Sequence, residues 1–234
     1  MKIRSAENEK LDDLNLCGEN LHKALQSLAW INRWFGNHRA VMKAIYAVYK
    51  KNAEPVRIID LGCGGGDLIL AVAKLLQQHK IEFTITGIDG NANSLAFAQK
   101  KFETFPQINF IQADLLSKDF SIKPCDILIS SHFIYHFSDD GLIDFLKSNL
   151  RLISTAVIFS ELNRNRFAMR LFKFSSILLP ISKLAKEDGL IAIKRSFTVK
   201  EWLSILQNTG IGKYSLQSVP LFRILLPIFL TRGI

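Results

Sequence analysis

The order of apolar and polar positions along the chain predicts alternating strands and helices. An apolar run, Val56 to Leu61, lies between Pro55 and glycines, as is typical of a strand buried on both faces of a parallel sheet. The next stretch, Leu68 to Gln78, carries apolar residues at helical spacing. Strand and helix patterns continue to alternate as far as residue 161. We therefore predict an α/β fold built on a doubly wound parallel sheet.

Two amphipathic helices are predicted before the first strand, at residues 19–33 and 37–50. Residues 164–186 differ from the alternating part, because they are rich in Phe, Leu and Ile, contain six basic residues and contain no acidic one. The longest uncharged run there is too short to span a membrane, so we predict a basic amphipathic insertion. A closing helix is predicted at 200–208. Two closing strands follow it, at 212–219 and 222–230.

Glycines join the first strand to its helix in the sequence Asp60-Leu61-Gly62-Cys63-Gly64-Gly65-Gly66. Such a turn lets a ligand touch the backbone, because glycine has no Cβ and a helix N-terminus offers unpaired N–H groups. A dinucleotide fingerprint would need glycine where Asp67 or Ile69 stands, and a phosphate loop would need a lysine in this turn. The spacing therefore argues against both kinds of phosphate site.

An acidic residue followed by G-x-G-x-G resembles the first motif of class I S-adenosylmethionine-dependent methyltransferases. The resemblance implies a Rossmann-like, seven-stranded sheet with the last strand antiparallel. It also implies S-adenosylmethionine as cofactor and S-adenosylhomocysteine as product. This cofactor carries a sulfonium and an ammonium but no phosphate, so a carboxylate at the strand end suits it. An ordinary glycine-rich turn is the alternative. The implied cofactor-binding residues of this motif are Asp60, Gly62, Cys63, Gly64 and Gly66.

A second acidic residue, Asp89, ends the alternating run that predicts the second strand. It follows the glycines by about 20 residues, the distance at which nucleotide-binding βαβ units place a ribose-binding acid. A carboxylate there can accept hydrogen bonds from both ribose hydroxyls. The alternative is that Asp89 caps the following helix. We assign Asp89, Gly90 and Asn91 to the cofactor site.

The third predicted strand runs into Asp114 and Leu115. In the resembled family, an acidic residue followed by an apolar one at this place addresses the adenine of the cofactor. The first predicted helix ends in an aromatic stretch that contains Arg33. Because N-terminal helices commonly cover the pocket in the resembled fold, Asn32, Arg33 and Trp34 are candidates for that cover, and we also assign Arg33 to the cofactor site. The alternative is a helix corner packed by tryptophans.

The fourth predicted strand ends at Ser130 and opens into a segment with two histidines, His132 and His136. This segment is similar to that of small-molecule methyltransferases, so we assign Ser130 to the cofactor site. His132 and His136 are the candidate catalytic residues, as general bases, and the alternative is that they are hydrogen-bonded core or rim residues. They are four residues apart, but no third ligand is suitably spaced, so no metal site is predicted.

Composition narrows the cellular setting and the partners. The 234 residues carry a net charge of +9 and three cysteines without C-x-x-C spacing. Neither a disulfide framework nor a zinc site is indicated, and we expect a cytoplasmic protein without a signal peptide. The charge permits an anionic partner, but the phenylalanines lie in apolar runs typical of a core.

We predict a single methyltransferase domain, residues 1–234. Residues 1–53 are its helical cover, 54–161 the cofactor-binding core, 162–197 a helical insertion or lid, and 198–234 the closing helix and strands.

Within the resembled family, the pattern is closest to enzymes acting on quinols, phenols or lipid-linked aromatics. The predicted acceptor is therefore a small lipophilic or aromatic molecule. The insertion adds a predicted peripheral contact with the inner membrane surface, and its alternative is a helix packed on the sheet with solvated basic side chains. The alternatives are an RNA or protein methyltransferase and a non-catalytic cofactor-binding protein. The Asn/Asp-Pro-Pro-Tyr/Phe segment of enzymes that methylate nucleic-acid bases is absent, so a nucleic-acid partner is not expected. The sequence does not indicate an oligomeric state.

Overall fold

Seven strands form one mixed sheet in the order β3-β2-β1-β4-β5-β7-β6 in a computed structural model that describes residues 1, 3–49 and 55–230. The first five strands run parallel, and β7 runs antiparallel to both β5 and β6. The predicted seven-stranded sheet with an antiparallel last strand is thus confirmed. The strands are β1 (Val56–Leu61), β2 (Phe83–Asp89), β3 (Ile108–Gln112), β4 (Cys125–Ser131), β5 (Ile153–Leu162), β6 (Gln217–Val219) and β7 (Arg223–Phe229).

Eight α-helices accompany the sheet within the described residues, and none of them is long and apolar enough to cross a membrane. They are α1 (Gly18–Trp34), α2 (Asn37–Val48), α3 (Asp67–Gln78), α4 (Ala92–Lys101), α5 (Asp139–Asn149), α6 (Arg166–Leu178), α7 (Lys183–Arg195) and α8 (Val199–Thr209). The last residue of the predicted helix 37–50, Lys50, lies outside the described residues, as does the predicted boundary at residue 53.

Both faces of the central strands are buried, as their nearly continuous apolar sequences predict. Ile59 and Leu61 of β1 pack into one core beneath α5 and α8. Ile58 belongs to a second core on the other face, together with residues of α2 and α3. The strand order reverses at β1, which lies between β2 and β4. In such sheets a ligand crevice forms outside the carboxyl ends of the strands at this point.

The basic insertion consists of two helices rather than one. Asn165 begins α6, because its side chain accepts hydrogen bonds from the N–H groups of Phe167 and Ala168. Pro180 follows the end of α6, and Ser182 caps α7 by accepting from the N–H of Ala185.

The first closing strand is much shorter than the prediction of residues 212–219. Regular pairing is confined to β6, and Tyr214 makes a single isolated bridge with Ile228. Pro227 of β7 interrupts the hydrogen bonds between β7 and the residues before β6. Its carbonyl accepts from the N–H of Ser215, but proline has no N–H with which to donate back on the same side. A proline in the neighbouring strand therefore explains why β6 is shorter than the predicted strand.

Candidate functional site

A cavity of about 870 Å³ lies outside the carboxyl ends of β1, β2 and β4, at the point where the strand order reverses. Its volume is within the range typical of sites for small ligands and cofactors. The glycine turn and the loops after β2, β3 and β4 form one part of the wall. Side chains of α1, α6, α7, the polypeptide before α1, the end of β5 and the turn before β7 form most of the rest.

The glycine turn presents bare backbone to this cavity. Gly62, Gly64 and Gly66 all have positive φ, at 68°, 48° and 71°, a conformation that other residues adopt at a cost. Gly62 also has no room for a side chain, because a Cβ there would lie 2.3 Å from the ring of Phe133. Gly62 and Gly64 line the cavity. The chain can adopt this turn because glycine occupies each of the three positions that have a left-handed backbone conformation.

Asp89, at the end of β2, is tied to the glycine turn. Its carboxylate accepts hydrogen bonds from the N–H of Gly64 at 2.8 Å and from the N–H of Asn91 at 2.9 Å. Burial raises the pKa of Asp89, while these N–H groups act in the opposite direction. The helix-cap alternative for Asp89 was wrong, since the side chain of Asn91 caps α4 by accepting from Asn93 and Ser94.

Two further acidic residues lie near Asp89. Burial raises the pKa of Asp60 well above its usual value, and the charges of Asp67 and Asp89 raise it further. Asp67 lines the cavity and accepts from His38 at 2.7 Å and Asn32 at 3.2 Å. Burial alone would raise the pKa of Asp67, but these hydrogen bonds bring it below the usual value. The excess of carboxylates suits a cationic ligand and disfavours a phosphate.

The loop after β3 contributes Asp114 and Leu115 to the cavity wall. One carboxylate oxygen of Asp114 accepts from the N–H of Leu116 at 3.0 Å, which fixes the turn. Leu115 is buried in the core beneath the cavity. This placement agrees with the adenine contact that the resemblance implies, and that role stays a prediction.

His132 directly follows β4 and lines the cavity in a left-handed conformation, with φ of 56°. The turn is held by Glu161, whose carboxylate accepts from the N–H groups of Phe133 at 3.1 Å and Ile134 at 3.0 Å. Burial lowers the pKa of His132 to about 3, and the charge of Arg223 adds to this. Its imidazole is therefore neutral, and its buried Nε2 has no hydrogen-bond partner among the described residues.

His136 has a different environment, although it lines the same cavity. Its Nδ1 lies 3.1 Å from Nη2 of Arg195 and 3.3 Å from Oδ1 of Asp12. Burial lowers the pKa of His136 to about 4, against the opposing effect of Asp12. Because a guanidinium can only donate, Nδ1 is the acceptor in the contact with Arg195 and Nε2 carries the hydrogen.

The polypeptide before α1 crosses this part of the site. Asp188 of α7 accepts from the N–H groups of Lys10 and Leu11, each at 2.9 Å. Tyr135 donates its hydroxyl to Glu9 at 3.1 Å. Burial raises the pKa of Glu9 to about 8, with the charge of Asp12 adding to it. The segment thus forms the wall of the cavity from Asn91, which donates to the carbonyl groups of Asp13 and Leu16, to Tyr135.

Glu9, Asp12 and His136 also place three potential metal ligands within 4.8 Å of one another. Arg195 already donates to Asp12 at 2.6 Å and lies 3.4 Å from Glu9. Its positive charge occupies the position that a cation would take between the carboxylates. The donor set is therefore better described as an ion-pair cluster than as a metal centre.

Comparison with known proteins agrees with this site. The model of a family described as "Methyltransferase domain" matches residues 58–155, from β1 to the start of β5. A carboxy-S-adenosyl-L-methionine synthase of Nitratiruptor sp. is 23% identical over 70% of this chain and 72% of that protein. A ubiquinone biosynthesis O-methyltransferase of Caulobacter sp. is 28% identical over 53% of this chain and 47% of that protein. The chain therefore carries an S-adenosylmethionine-dependent methyltransferase domain.

Solved structures show that the methyltransferase shares its fold with this family along most of its length. The plantazolicin methyltransferase BpumL, solved in complex with S-adenosylhomocysteine, superposes with a TM-score of 0.63. The alignment covers 91% of this chain and 96% of that one, at 18% identity. S-adenosylmethionine is the cofactor, and its cationic sulfonium and ammonium fit a cavity wall of bare glycine backbone and carboxylates.

The structure brings most of the predicted site residues of the methyltransferase to the cavity wall. They are Gly62, Cys63, Gly64, Asp89, Gly90, Asn91, Asp114, Leu115, His132 and His136. The side chain of Asn91 is already committed, because it caps α4 and donates to the carbonyl groups of Asp13 and Leu16. Its side chain thus anchors the polypeptide before α1, while its contact with the cofactor stays a prediction.

Four predicted residues do not line the cavity. Asp60 is buried in β1 behind the turn, and Gly66 caps α3 against the ring of Phe102. Ser130 is buried and donates its hydroxyl to the carbonyl of Leu61, which ties β4 to β1. Arg33 is exposed in the last turn of α1. For Arg33 the neighbouring Asn32 is the one that turns inward, since adjacent helical positions point about 100° apart.

Proposed function

We propose that this methyltransferase transfers a methyl group to the hydroxyl of a small lipophilic aromatic acceptor, such as a phenol or quinol. The observation that carries the proposal is the part of the cavity beyond the glycine turn. Its walls are mainly apolar, and the two histidines that follow β4 lie among them. The apolar side chains there are Phe35, Phe133, Leu162, Leu171, Phe172, Ile193 and Phe222.

The cofactor-binding half of the site positions the methyl donor. Backbone of Gly62 and Gly64 offers close approach, Asp89 offers a carboxylate to the ribose, and Asp114 with Leu115 borders the adenine. S-adenosylmethionine, when bound, supplies a methyl group on an already activated leaving group. The residues of the acceptor half therefore need to position the hydroxyl, exclude water and take its proton.

The two histidines divide these tasks. His132 lines the cavity with a neutral imidazole, so a ring nitrogen can accept the proton of an acceptor hydroxyl that reaches it. His136 is oriented by Arg195, which donates to its Nδ1, and this leaves its Nε2–H to donate a hydrogen bond to the same oxygen. We therefore assign His132 as the general base and His136 as the group that orients the acceptor and stabilises its developing negative charge.

Two observations support a lipophilic acceptor over RNA or protein. A macromolecular acceptor would favour an open basic groove, whereas aromatic and aliphatic side chains from α1, α6 and α7 surround this cavity. The name of the Caulobacter relative states O-methylation in ubiquinone biosynthesis. A cytoplasmic location remains part of the proposal, and the three free cysteines agree with it.

The test is transfer of a radiolabelled methyl group from S-adenosylmethionine to a panel of acceptors. The panel contains alkyl phenols, short-chain quinols, total RNA and a mixture of unfolded proteins, each assayed with wild type and Asp89→Ala. The proposal predicts label that partitions into organic solvent with phenols or quinols and that depends on Asp89. Label confined to the RNA or protein fraction would replace the proposal with the macromolecular alternative.

A further inference from the structure

The helix α6 buries small side chains and exposes large apolar ones, the reverse of an ordinary surface helix. Its buried residues are Ala168 and Ser176. Five large apolar side chains of the same helix are between 43% and 87% exposed, a contiguous patch of the kind that marks an interaction surface. They are Phe167, Leu171, Phe174, Ile177 and Leu178. Four of them, at positions 167, 171, 174 and 178, follow one stripe of the helix.

Positive charge accompanies this stripe. Arg166, Arg170 and Lys173 are exposed on the same helix, and α6 contains no acidic residue. An apolar face flanked by lysine and arginine is the arrangement with which an interfacial helix lies in the headgroup region of an anionic bilayer. The two contributions add, because apolar burial and attraction to acidic lipids act on the same helix.

The same helix forms part of the cavity wall. Ala168, Leu171 and Phe172 line the cavity, so its inner side faces the acceptor compartment while its outer stripe faces solvent. The exposed surface continues onto the turn before β7, where Leu221 is both exposed and part of the wall. The ring of Phe167 packs edge-on against Phe222 of that turn. The apolar patch thus extends to the rim of the cavity.

We propose that α6 and the turn at Leu221 bind the surface of an anionic membrane, and that the acceptor enters the cavity from the bilayer. The entry route rests on the lipophilic acceptor proposed above, whereas the membrane contact stands on the surface of α6. A second copy of the chain is a poorer occupant. A symmetric contact through α6 would bring its three cations together with those of its partner, with no acid on either helix.

The membrane contact is tested by flotation of the full-length protein with vesicles. One set contains phosphatidylcholine alone, and the other contains phosphatidylcholine with one third phosphatidylglycerol. We expect flotation with the anionic vesicles at low salt, and little with the neutral ones. A protein that stays in the bottom fraction with both sets would overturn the proposal.

Two variants separate charge from apolar contact. The triple change Arg166→Gln, Arg170→Gln and Lys173→Gln should weaken partition roughly a hundredfold, since each such cation contributes about 1 kcal/mol near an anionic surface. The second variant, Phe174→Ser with Ile177→Ser, should also lose flotation.

The matched control removes three exposed cations elsewhere. Lys74→Gln, Lys123→Gln and Lys147→Gln produce the same change in net charge on α3, the loop before β4 and α5. This control should float like wild type. Calorimetry should show unchanged S-adenosylmethionine affinity in the control and in both α6 variants. Equal losses in the control and the α6 variants would mean that net charge rather than α6 causes binding, which contradicts the proposal.

Two further outcomes are informative. Light scattering that finds a dimer dissociated by Phe174→Ser and Ile177→Ser would assign the stripe to a second copy and overturn the membrane contact. Flotation is measured without an acceptor, so it is independent of catalysis. Methylation of a soluble phenol without flotation would refute the membrane inference alone, and flotation without methylation of any phenol or quinol would refute the proposed function alone.

Discussion

The N–H of Gly64 donates a 2.8 Å hydrogen bond to the carboxylate of Asp89, joining the glycine turn to the end of β2. The two residues are 25 positions apart in the sequence. This bond holds one wall of the cofactor-binding half in place, and it orients the carboxylate at the cavity surface. Asp89 is therefore a structural tie, and we propose that its carboxylate also accepts hydrogen bonds from the ribose.

The first prediction concerns Asp89. Replacing it with alanine should weaken S-adenosylmethionine binding by about 1.5–3 kcal/mol, the scale for losing hydrogen bonds to a charged group. The fold should be retained, which circular dichroism can check. Isothermal calorimetry measures the affinity, with Asp114→Ala as a comparison at the adenine end. Unchanged affinity in Asp89→Ala would remove Asp89 from the cofactor site.

The second prediction compares two neighbouring glycines. Gly64 has a φ of 48° and donates to Asp89, so alanine there strains the backbone by about 1–2 kcal/mol and disturbs that bond. Gly65 does not have positive φ, and a Cβ there would meet Leu25 and Phe97 at 3.3 Å. Calorimetry should therefore show a larger loss of cofactor affinity for Gly64→Ala than for Gly65→Ala. Equal losses, accompanied by equal drops in melting temperature, would indicate that the turn matters for folding rather than for contact.

The third prediction separates the two histidines kinetically. His132→Ala removes the proposed base, so kcat should fall by about 10²–10⁴ with little change in the acceptor KM. His136→Ala removes the orienting donor and should raise the acceptor KM as well. His136→Gln, which retains an N–H donor, should recover part of that loss. If both alanine variants change kcat and KM in the same way, the division of roles is wrong.

The fourth prediction concerns stability against pH. Burial raises the pKa of Glu161 to about 8, above its usual value near 4.5. Between these values the folded state retains a proton that the unfolded state has lost, so this group lowers stability as pH rises from about 4.5 to 8. Glu161→Gln removes this dependence. Its unfolding free energy relative to wild type should rise over that window, by at most about 1.4 kcal/mol per pH unit.

Urea unfolding at several pH values measures this difference directly. Asp126→Asn is a useful contrast, because hydrogen bonds from Arg57 and Ser154 outweigh partial burial and lower the pKa of Asp126 to about 2. The stability that ionised Asp126 adds to the wild type is lost as the pH falls below about 4, whereas Glu161 lowers stability as the pH rises. A stability difference between Glu161→Gln and wild type that does not vary from pH 4.5 to 8 would show that Glu161 is ionised in the folded protein.

The sheet and the glycine turn could be predicted from the sequence because their signals are local. Apolar runs mark β1 and β4, and the glycines lie where positive φ is required. Asp89 was placed correctly at the end of β2 by the alternating run that it closes. The extent of β6 was not predictable in this way, since Pro227 of the neighbouring strand interrupts its pairing.

The acceptor half was less predictable, because its polar groups come from distant segments. His136 meets Asp12 and Arg195, which lie 124 and 59 positions away. The polypeptide before α1 is polar and has no periodicity, so no local pattern indicates that it crosses the cavity. In the sequence, Asp67 was noted only because it excludes the dinucleotide-binding motif. In the structure, its hydrogen bonds with His38 and Asn32 hold it in the cavity wall. Such pairings depend on tertiary packing rather than on spacing.

The most direct measurement is carbon NMR of the product formed from S-adenosylmethionine with a ¹³C-labelled methyl group and a short-chain quinol. The proposed function predicts one new signal, at the chemical shift of an aryl methyl ether, that is lost with His132→Ala. A signal from a methyl group on carbon or nitrogen would contradict hydroxyl methylation. No transfer to any phenol or quinol, from an enzyme that calorimetry shows to bind S-adenosylmethionine, would contradict the proposed acceptor class.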